Sequence, residues 1–305
     1  MLRQKQSCTP AVPTSRGNDS ELTMMTHNER ASYVLGHSTA EHRRLMLQSR
    51  FIGELTETVL AQAGLAEGMK VLDVGCGAGD VSLLAASMVG PGGKVLGVDQ
   101  SPDSIALARQ RAESAGYRNI TFEVDDVADL RRKGPFDALV GRLILMYLRD
   151  PAAVLRKLAR LVRPGGIIVF QEMEIAPSRA VPDIPLYDTC RRWISTAFRS
   201  AGVETELGSR LYSLYRQAGL PGPRMISGAR VEGGPQSDMY EWLAETVRSL
   251  LPIIEKTGIA TKEQVDVDTL ADRLREAVVA GGGVIYSPVY VGAWARKAGG
   301  SGSSA

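Results

Sequence analysis

Three alternating glycines near residue 75 form the segment of this sequence that is best suited to bind a ligand. They are Gly75, Gly77 and Gly79, in the stretch VLDVGCGAGD between an apolar run and a helical pattern. Glycine has no Cβ and tolerates positive φ, so a ligand can approach the backbone closely where a strand ends. Asp73, two residues before the first glycine, suits a cationic group such as the ammonium of an amino acid.

Asp80 stands where a dinucleotide-binding loop would have its third glycine. The dinucleotide fingerprint is G-x-G-x-x-G, with the pyrophosphate at the N-terminus of the following helix. A carboxylate at that place would repel a phosphate. The loop therefore disfavours a dinucleotide and, with it, a nicotinamide oxidoreductase.

Two further acidic residues stand where strands are predicted to end. Asp99 lies 24 residues after Gly75 and suits the two hydroxyls of a ribose, unless it is only a solvated strand end or a helix cap. Asp126, with the backbone N–H of Val127, could read the edge of an adenine, unless it is ordinary loop polarity. Together with Asp73, these acids suit adenine, ribose and an amino acid without phosphates, which describes S-adenosylmethionine.

These residues need a scaffold that brings strand ends together, and the sequence pattern predicts one. Predicted strands at 70–74, 94–99, 119–124, 136–140 and 167–170 alternate with helical stretches. Such alternation with short links predicts a parallel sheet with helices on both faces. The fourth helix is predicted over 151–162, ended by Pro164-Gly165-Gly166.

The pattern changes after the fifth strand and also before the first. Helical stretches are predicted over 185–220, with a break near Gly202, and then over 237–257 and 268–280, with strands at 224–231 and 284–295. A helix over 40–63 precedes the sheet, and Gln48 interrupts its apolar stripe. Gln48 is either a satisfied polar group or a residue that faces a ligand.

With these segments in view, the sequence resembles the class I S-adenosylmethionine-dependent methyltransferases. The matching segments are VLDVGCGAGD, VLGVDQSPDSI, ITFEVDDVADL, FDALVGRLILMYLRDP and RPGGIIVFQEM. Within the family it is most similar to enzymes of ubiquinone and menaquinone biosynthesis and to bacterial natural-product methyltransferases of secondary metabolism. The resemblance implies an α/β, Rossmann-like, doubly wound sheet of seven strands in the order 3-2-1-4-5-7-6, with strand 7 antiparallel.

The resemblance also implies a domain organisation. Residues 1–30 would be a flexible leader, 31–65 an N-terminal helical lid, 66–298 the methyltransferase domain and 299–305 a flexible tail. A helical insertion at about 236–280, between strands 6 and 7, would lie over the substrate side.

Roles for single residues follow from the family pattern. Asp73 and the loop of Gly75, Gly77 and Gly79 would meet the methionine part of S-adenosylmethionine. Asp99 would hold the ribose, Gln100 would lie beside the adenine, and Asp126 and Val127 would read it. Arg142 would line the methionine side through its backbone, and the lid residues Tyr33 and Gln48 would contact the cofactor.

The implied reaction is an in-line displacement, for which alignment of the reactants matters most. A general base is optional. His37 and Tyr147 are the weak candidates for one, and a structural or exposed role is the plainer interpretation of each. No residue pattern indicates a metal site.

Composition sets the expectations for partners. The net charge of +2 and the balance of nine acidic against five basic residues over 236–280 disfavour nucleic acid. Three scattered cysteines and the lack of a long apolar segment favour a cytoplasmic protein that does not enter a membrane, either a monomer or a homodimer.

The acceptor is expected to be a small, partly hydrophobic molecule, because apolar and aromatic residues abound outside the predicted sheet. Methylation on oxygen is favoured over nitrogen or carbon. Two alternatives stay open at this point: a peptide or protein methyltransferase, and an inactive S-adenosylmethionine-binding protein.

Overall fold

The computed structural model describes residues 39–130 and 134–299, with side chains from Arg44 onward. The predictions for Tyr33 and His37, for the leader and for the tail beyond Gly299 lie outside this range. The helices are α1 (Thr39–Ala63), α2 (Asp80–Val89), α3 (Pro102–Ser114), α4 (Pro151–Ala159), α5 (Pro185–Ser200), α6 (Leu211–Gln217), α7 (Met239–Lys256), α8 (Lys262–Val265) and α9 (Leu270–Ala280). The strands are β1 (Lys70–Val74), β2 (Lys94–Asp99), β3 (Ile120–Val124), β4 (Phe136–Arg142), β5 (Val162–Glu174), β6 (Arg179–Val181), β7 (Arg224–Gly228), β8 (Val231–Gly233), β9 (Val284–Tyr286) and β10 (Val289–Arg296).

The main sheet has seven strands in the order β3-β2-β1-β4-β5-β10-β7. Strands β1 to β5 are parallel, and β10 runs antiparallel to both of its neighbours, β5 and β7. With β7 as the sixth strand and β10 as the seventh, this is the predicted order, so the predicted fold class is confirmed.

Local sequence explains where the helices between these strands begin. The Ser101 hydroxyl accepts a hydrogen bond from the Ser104 N–H, and Pro102 opens α3. The Asp150 carboxylate accepts one from the Ala153 N–H at the start of α4. A side-chain acceptor followed by proline at the first helical position is a favoured helix start, because it satisfies donors that the helix leaves open.

The predicted end of α4 was wrong. The helix ends at Ala159, and β5 begins at Val162, so Pro164, Gly165 and Gly166 lie inside the strand. The pairing of β4 with β5 is irregular between Phe136 and Ala138, which accommodates this segment. A Cβ at Gly166 would lie 2.7 Å from the Asp137 carbonyl oxygen, so glycine is needed for strand contact and not to stop a helix.

A second sheet, of three strands in the order β6-β9-β8, was not predicted. The expected strand over 284–295 divides at Ser287-Pro288 into β9 and β10, and the strand over 224–231 divides into β7 and β8. The Ser287 N–H donates to the Arg230 carbonyl oxygen and the Ser287 hydroxyl accepts from the Arg230 N–H, which fixes both breaks together.

This small sheet and helices α5, α7 and α9 form what we call the cap. The cap joins the main sheet where β5 ends and where β10 begins. Because β10 is antiparallel, both points lie at the edge where the parallel strands have their carboxyl ends. The insertion predicted at 236–280 is helical, as expected, and its longest helix is α7.

Helix α1 packs on the main sheet through its C-terminal half. A Cβ at Gly292 of β10 would lie 2.3 Å from a methyl of Val59, so glycine is required for this close approach. Toward its N-terminal half, Phe51 packs edge-on against Trp242 of α7, with ring centroids 5.9 Å apart. Helix α1 therefore touches both the sheet and the cap. Within residues 39–130 and 134–299, no helix has the length and apolar character needed to cross a membrane.

Candidate functional site

The carboxyl edge of the main sheet collects most of the predicted site residues. Asp73, Asp99 and Arg142 lie at or beside the ends of β1, β2 and β4, and Asp126 follows β3. In sheets of this kind, ligands bind at the carboxyl ends of the strands. The structure therefore brings together the residues that the sequence placed at separate strand ends.

The three loop glycines all have positive φ but face different surroundings. Their φ values are +66° at Gly75, +53° at Gly77 and +85° at Gly79. A Cβ at Gly77 would have no heavy atom within 4 Å, whereas one at Gly75 would lie 2.7 Å from Ile144. A Cβ at Gly79 would lie 3.1 Å from both Ala108 and Phe122. Gly77 is thus the glycine that borders open space, and the other two allow the loop to pack against the protein.

Asp99 connects two loops of the site. One carboxylate oxygen accepts a hydrogen bond from the Gly77 N–H at 2.9 Å, and the other accepts from the Ser101 N–H, also at 2.9 Å. Each oxygen keeps further lone-pair capacity. The side chain is partly exposed. The geometry therefore fits a carboxylate that receives two ribose hydroxyls beside the open space at Gly77.

The segment after β3 is organised by its own aspartates. The Asp125 carboxylate accepts from the Asp126 N–H at 2.8 Å, and the Asp126 carboxylate accepts from the Ala128 N–H at 2.7 Å. Val127, the residue after Asp126, is buried, whereas Gln100, the residue after β2, is exposed. Asp126 and Gln100 have partners beyond these bonds. The assignment of these residues to adenine stays a prediction.

Asp73 is deeply buried, with 1% of its surface exposed. Its carboxylate accepts a hydrogen bond from the Ser82 hydroxyl at 2.5 Å. Burial raises the pKa of Asp73 to about 7, and the Ser82 hydrogen bond and the charge of Arg142 oppose that rise. A cation placed beside Asp73 would favour its ionised form.

The Arg142 side chain lies among other charged groups at this edge, and the predicted contribution of its backbone to the methionine side stays a prediction. Its guanidinium is 11% exposed and lies 3.6 Å from the Asp80 carboxylate, which also forms an ion pair with Arg111 at 2.7 Å. The Asp80 charge is therefore balanced by two cations. A nearby phosphate would meet a paired aspartate, so Asp80 alone excludes a dinucleotide less firmly than the sequence suggested.

A series of buried side-chain hydrogen bonds, which the sequence did not predict, connects Arg142 with β5. The Arg142 guanidinium donates to the Thr56 hydroxyl oxygen at 3.3 Å, and the Thr56 hydroxyl donates to Gln171 Oε1 at 2.7 Å. Gln171 is 2% exposed, and its Nε2 has no hydrogen-bond partner. Only its place after four apolar strand residues in GGIIVFQEM could have drawn attention to it.

Glu172, the next residue, supports the loop that follows β4. One of its oxygens accepts from the N–H groups of Ile144, at 3.1 Å, and Leu145, at 2.8 Å. The side chain is fully buried, and burial raises its pKa to about 8. The loop begins with Leu143 at φ +54° and carries Tyr147 in a short 3-10 turn.

Of the candidate bases and lid residues, the structure describes Tyr147 and Gln48. Tyr147 is half-buried and packs against the hydrophobic core. Gln48 is buried and accepts a hydrogen bond from Arg44, which satisfies its carbonyl oxygen. Contact of Gln48 with a ligand stays a prediction.

Comparison with known proteins identifies the class of molecule. A family model described as a methyltransferase domain matches residues 65–219, about half of the chain. A ubiquinone biosynthesis O-methyltransferase from Cereibacter sphaeroides is 31% identical over 158 residues, which are 50% of this chain and 61% of that protein. An arsenite methyltransferase from Aquipseudomonas alcaligenes is 34% identical over 122 residues, 37% of this chain and 35% of that protein.

The solved structure of the YcgJ protein from Bacillus subtilis shares the fold, with a TM-score of 0.54 and 14% identity over 81% of this chain and 100% of that one. The strand order and this structural similarity define a Rossmann-like α/β fold. The chain belongs to the class I S-adenosylmethionine-dependent methyltransferases, whose cofactor is S-adenosylmethionine. The chain spans less than two thirds of the length of the two curated relatives.

Proposed function

We propose that the protein transfers a methyl group from S-adenosylmethionine to an oxygen of a small, partly hydrophobic acceptor. The observation that carries the proposal is the hydrogen bond from the Gly77 N–H to the Asp99 carboxylate. The open space at Gly77 lies beside a carboxylate that two backbone N–H groups hold in place. This pairing of a Cβ-free loop with an oriented acid fits a ribose.

The chain's residues would orient the cofactor, which supplies a methyl group already activated on a sulfonium. Asp99 would accept the ribose hydroxyls, and Asp126 with Val127 would bind the adenine. Asp73 lies on the side where the methionine ammonium would be. Holding two reactants in line can lower a barrier by roughly 7–11 kcal/mol, so we expect alignment by these residues to contribute most of the catalysis. The acceptor oxygen would form its bond to the methyl as the bond between methyl and sulfur breaks, and its proton would pass to water.

The cap supports the assignment of a small acceptor. It adds buried aromatic residues beside the carboxyl edge, among them Tyr187, whose hydroxyl donates to the Tyr286 carbonyl oxygen at 2.7 Å. Tyr290 of β10 and Trp242 of α7 are also buried. An apolar pocket with few polar groups is the usual environment of a small organic ligand.

Arsenite, named for one relative, is less favoured as the acceptor. A soft metalloid would require grouped thiolates. In the part of the chain that the structure describes, the cysteines are Cys76 and Cys190, which are both buried and belong to different hydrophobic clusters. Burial also raises the pKa of each thiol.

A labelled-methyl transfer assay tests the proposal. The chain would be incubated with S-adenosylmethionine carrying a labelled methyl, against phenols, carboxylic acids, amines, thiols, quinone precursors and arsenite. We expect label in an O-methyl product of a phenol or acid. The Asp99→Asn variant should transfer at least about tenfold less at limiting cofactor, because it loses a charged hydrogen-bond acceptor.

Asp103→Asn is the matched control, because Asp103 is an exposed acid in the first turn of α3. It should transfer as the unmodified chain does. Label that enters only amines, thiols or arsenite, or no acceptor at all, would contradict the proposed O-methylation of a small molecule.

A further inference from the structure

The side-chain amide of Gln171 is unusual because its oxygen has a hydrogen-bond partner and its nitrogen has none. Its Oε1 lies 2.7 Å from the Thr56 hydroxyl, whose single proton is shared with the Ile52 carbonyl oxygen, while Nε2 is buried without a partner. An unsatisfied buried donor costs free energy, and native proteins keep few of them. A donor that is held in place and left open is typical of a group that awaits a ligand.

Strand register places this donor on the same face of the sheet as Asp73 and Arg142. Asp73 of β1 pairs with Val140 of β4, and Arg142 lies two residues further along the same strand. Side chains two residues apart share a face. Arg142 in turn pairs with Gln171 of β5. One face of the carboxyl edge therefore carries an acid, a guanidinium and an amide donor on three neighbouring strands.

Opposite charges on neighbouring strands suit a zwitterion. Arg142 and Asp73 are close enough for each charge to affect the ionisation of the other. Arg142 already contacts Asp80, but at 3.6 Å, and it donates only a long hydrogen bond to Thr56. An added carboxylate would give the guanidinium and the Gln171 amide a shared anionic partner.

We propose that Arg142 and Gln171 form the subsite for the methionine carboxylate of the cofactor, with Gln171 Nε2 as a direct hydrogen-bond donor. Asp73 then provides for the ammonium of the same amino acid. This assignment rests on the proposed function, because it takes S-adenosylmethionine as the ligand. It adds a binding residue on β5 that belongs to none of the glycine- or aspartate-bearing loops.

A matched pair of ligands isolates this contact. Decarboxylated S-adenosylmethionine keeps the adenosine, the sulfonium and the ammonium and lacks only the carboxylate. Isothermal titration of the full chain should show S-adenosylmethionine binding at least about tenfold more tightly than the decarboxylated form, since hydrogen bonds to a charged group are strong. Equal affinities of the unmodified chain for the two ligands would overturn the proposal without any variant.

Two variants and a control then test Gln171 itself. Gln171→Met should lower the affinity for S-adenosylmethionine roughly tenfold and the affinity for the decarboxylated ligand less than about twofold. Gln171→Glu places a like charge against the carboxylate, so it should reverse the preference. Gln217→Met, at an exposed glutamine of α6, should change neither affinity.

The possible failures are distinguishable. If the unmodified chain binds neither ligand nor S-adenosylhomocysteine, the proposed function fails. If S-adenosylmethionine is preferred by the unmodified chain but Gln171→Met weakens both ligands equally, or weakens neither, the role of Gln171 is contradicted while the proposed function stands.

Discussion

The carboxyl edge and the cap are stabilised in different ways. At the edge, acids bind backbone N–H groups of their own loop or of the adjacent loop, as Asp126 does with Ala128 and Asp99 with both Ser101 and Gly77. In the cap and where α1 packs against it, contacts join residues far apart along the chain, such as Tyr187 with Tyr286 and Phe51 with Trp242. The acids that we assign to the cofactor are therefore held by short segments at neighbouring strand ends, whereas the cap depends on contacts between elements that lie far apart along the chain.

The largest effect that separates the two regions is expected from Trp242→Ala. Trp242 is 6% exposed and packs on Phe51, so truncation should destabilise the chain by about 3–5 kcal/mol. Chemical denaturation measures this loss. Affinity for S-adenosylhomocysteine, measured under native conditions, should stay within about twofold, because the hydrogen bonds of Asp73, Asp99 and Asp126 do not involve Trp242. A tenfold loss of that affinity would mean that the two regions are not separable.

Glu172 of β5 holds the loop that follows the neighbouring strand β4, close to where the chain enters the cap. Its pKa rises from 4.5 to about 8 on folding, so the folded chain binds its proton more tightly than the unfolded chain does. The resulting stabilisation is fully present below the unfolded pKa and is lost as pH rises through the folded one.

The Glu172→Gln variant removes this dependence and keeps an oxygen for the Ile144 and Leu145 N–H groups. Relative to the unmodified chain, it should gain up to about 3 kcal/mol at about pH 9 and much less at about pH 5. Denaturant titrations at both pH values provide the measurement. A difference between the two chains that does not vary with pH would show that Glu172 is not protonated in the fold.

Asp99→Ala is expected to change ligand affinity more than stability. It removes the acceptor for the Gly77 and Ser101 N–H groups and, by our assignment, for the ribose. Affinity for S-adenosylhomocysteine should fall by about 10- to 100-fold, since a charged hydrogen bond contributes roughly 1.5–3 kcal/mol. Calorimetric titration measures the affinity, and Asp103→Ala serves as the control. Unchanged affinity would place the ribose elsewhere.

The smallest predicted effect concerns the protonation of Asp73. Its pKa of about 7 means that the free protein carries a neutral Asp73 below that pH. Because an ammonium binds the ionised form, affinity for S-adenosylhomocysteine should rise roughly tenfold between about pH 6 and about pH 8. Ser82→Ala removes the hydrogen bond that lowers this pKa, so the rise should move to higher pH. An affinity that is flat over this range would remove Asp73 from the ammonium site.

The sequence predicted what short segments determine. The starts of α3 and α4 and the clustering of Asp73, Asp99 and Asp126 at one edge follow from local patterns, whereas the strand order of the main sheet was implied by the family resemblance. The contacts of the Arg142 guanidinium and the buried amide of Gln171 depend on which strands become neighbours. The three-stranded sheet likewise requires pairing between β6, β8 and β9, which lie far apart along the chain.

We assign the carboxyl edge to S-adenosylmethionine and to no phosphate-bearing dinucleotide. Isothermal titration of the full chain with S-adenosylhomocysteine, and separately with NAD, tests this assignment. We predict saturable binding of S-adenosylhomocysteine at one site per chain, displaced by S-adenosylmethionine, and no heat of binding with NAD. Tight binding of NAD without a response to S-adenosylhomocysteine would show that the edge is a dinucleotide site.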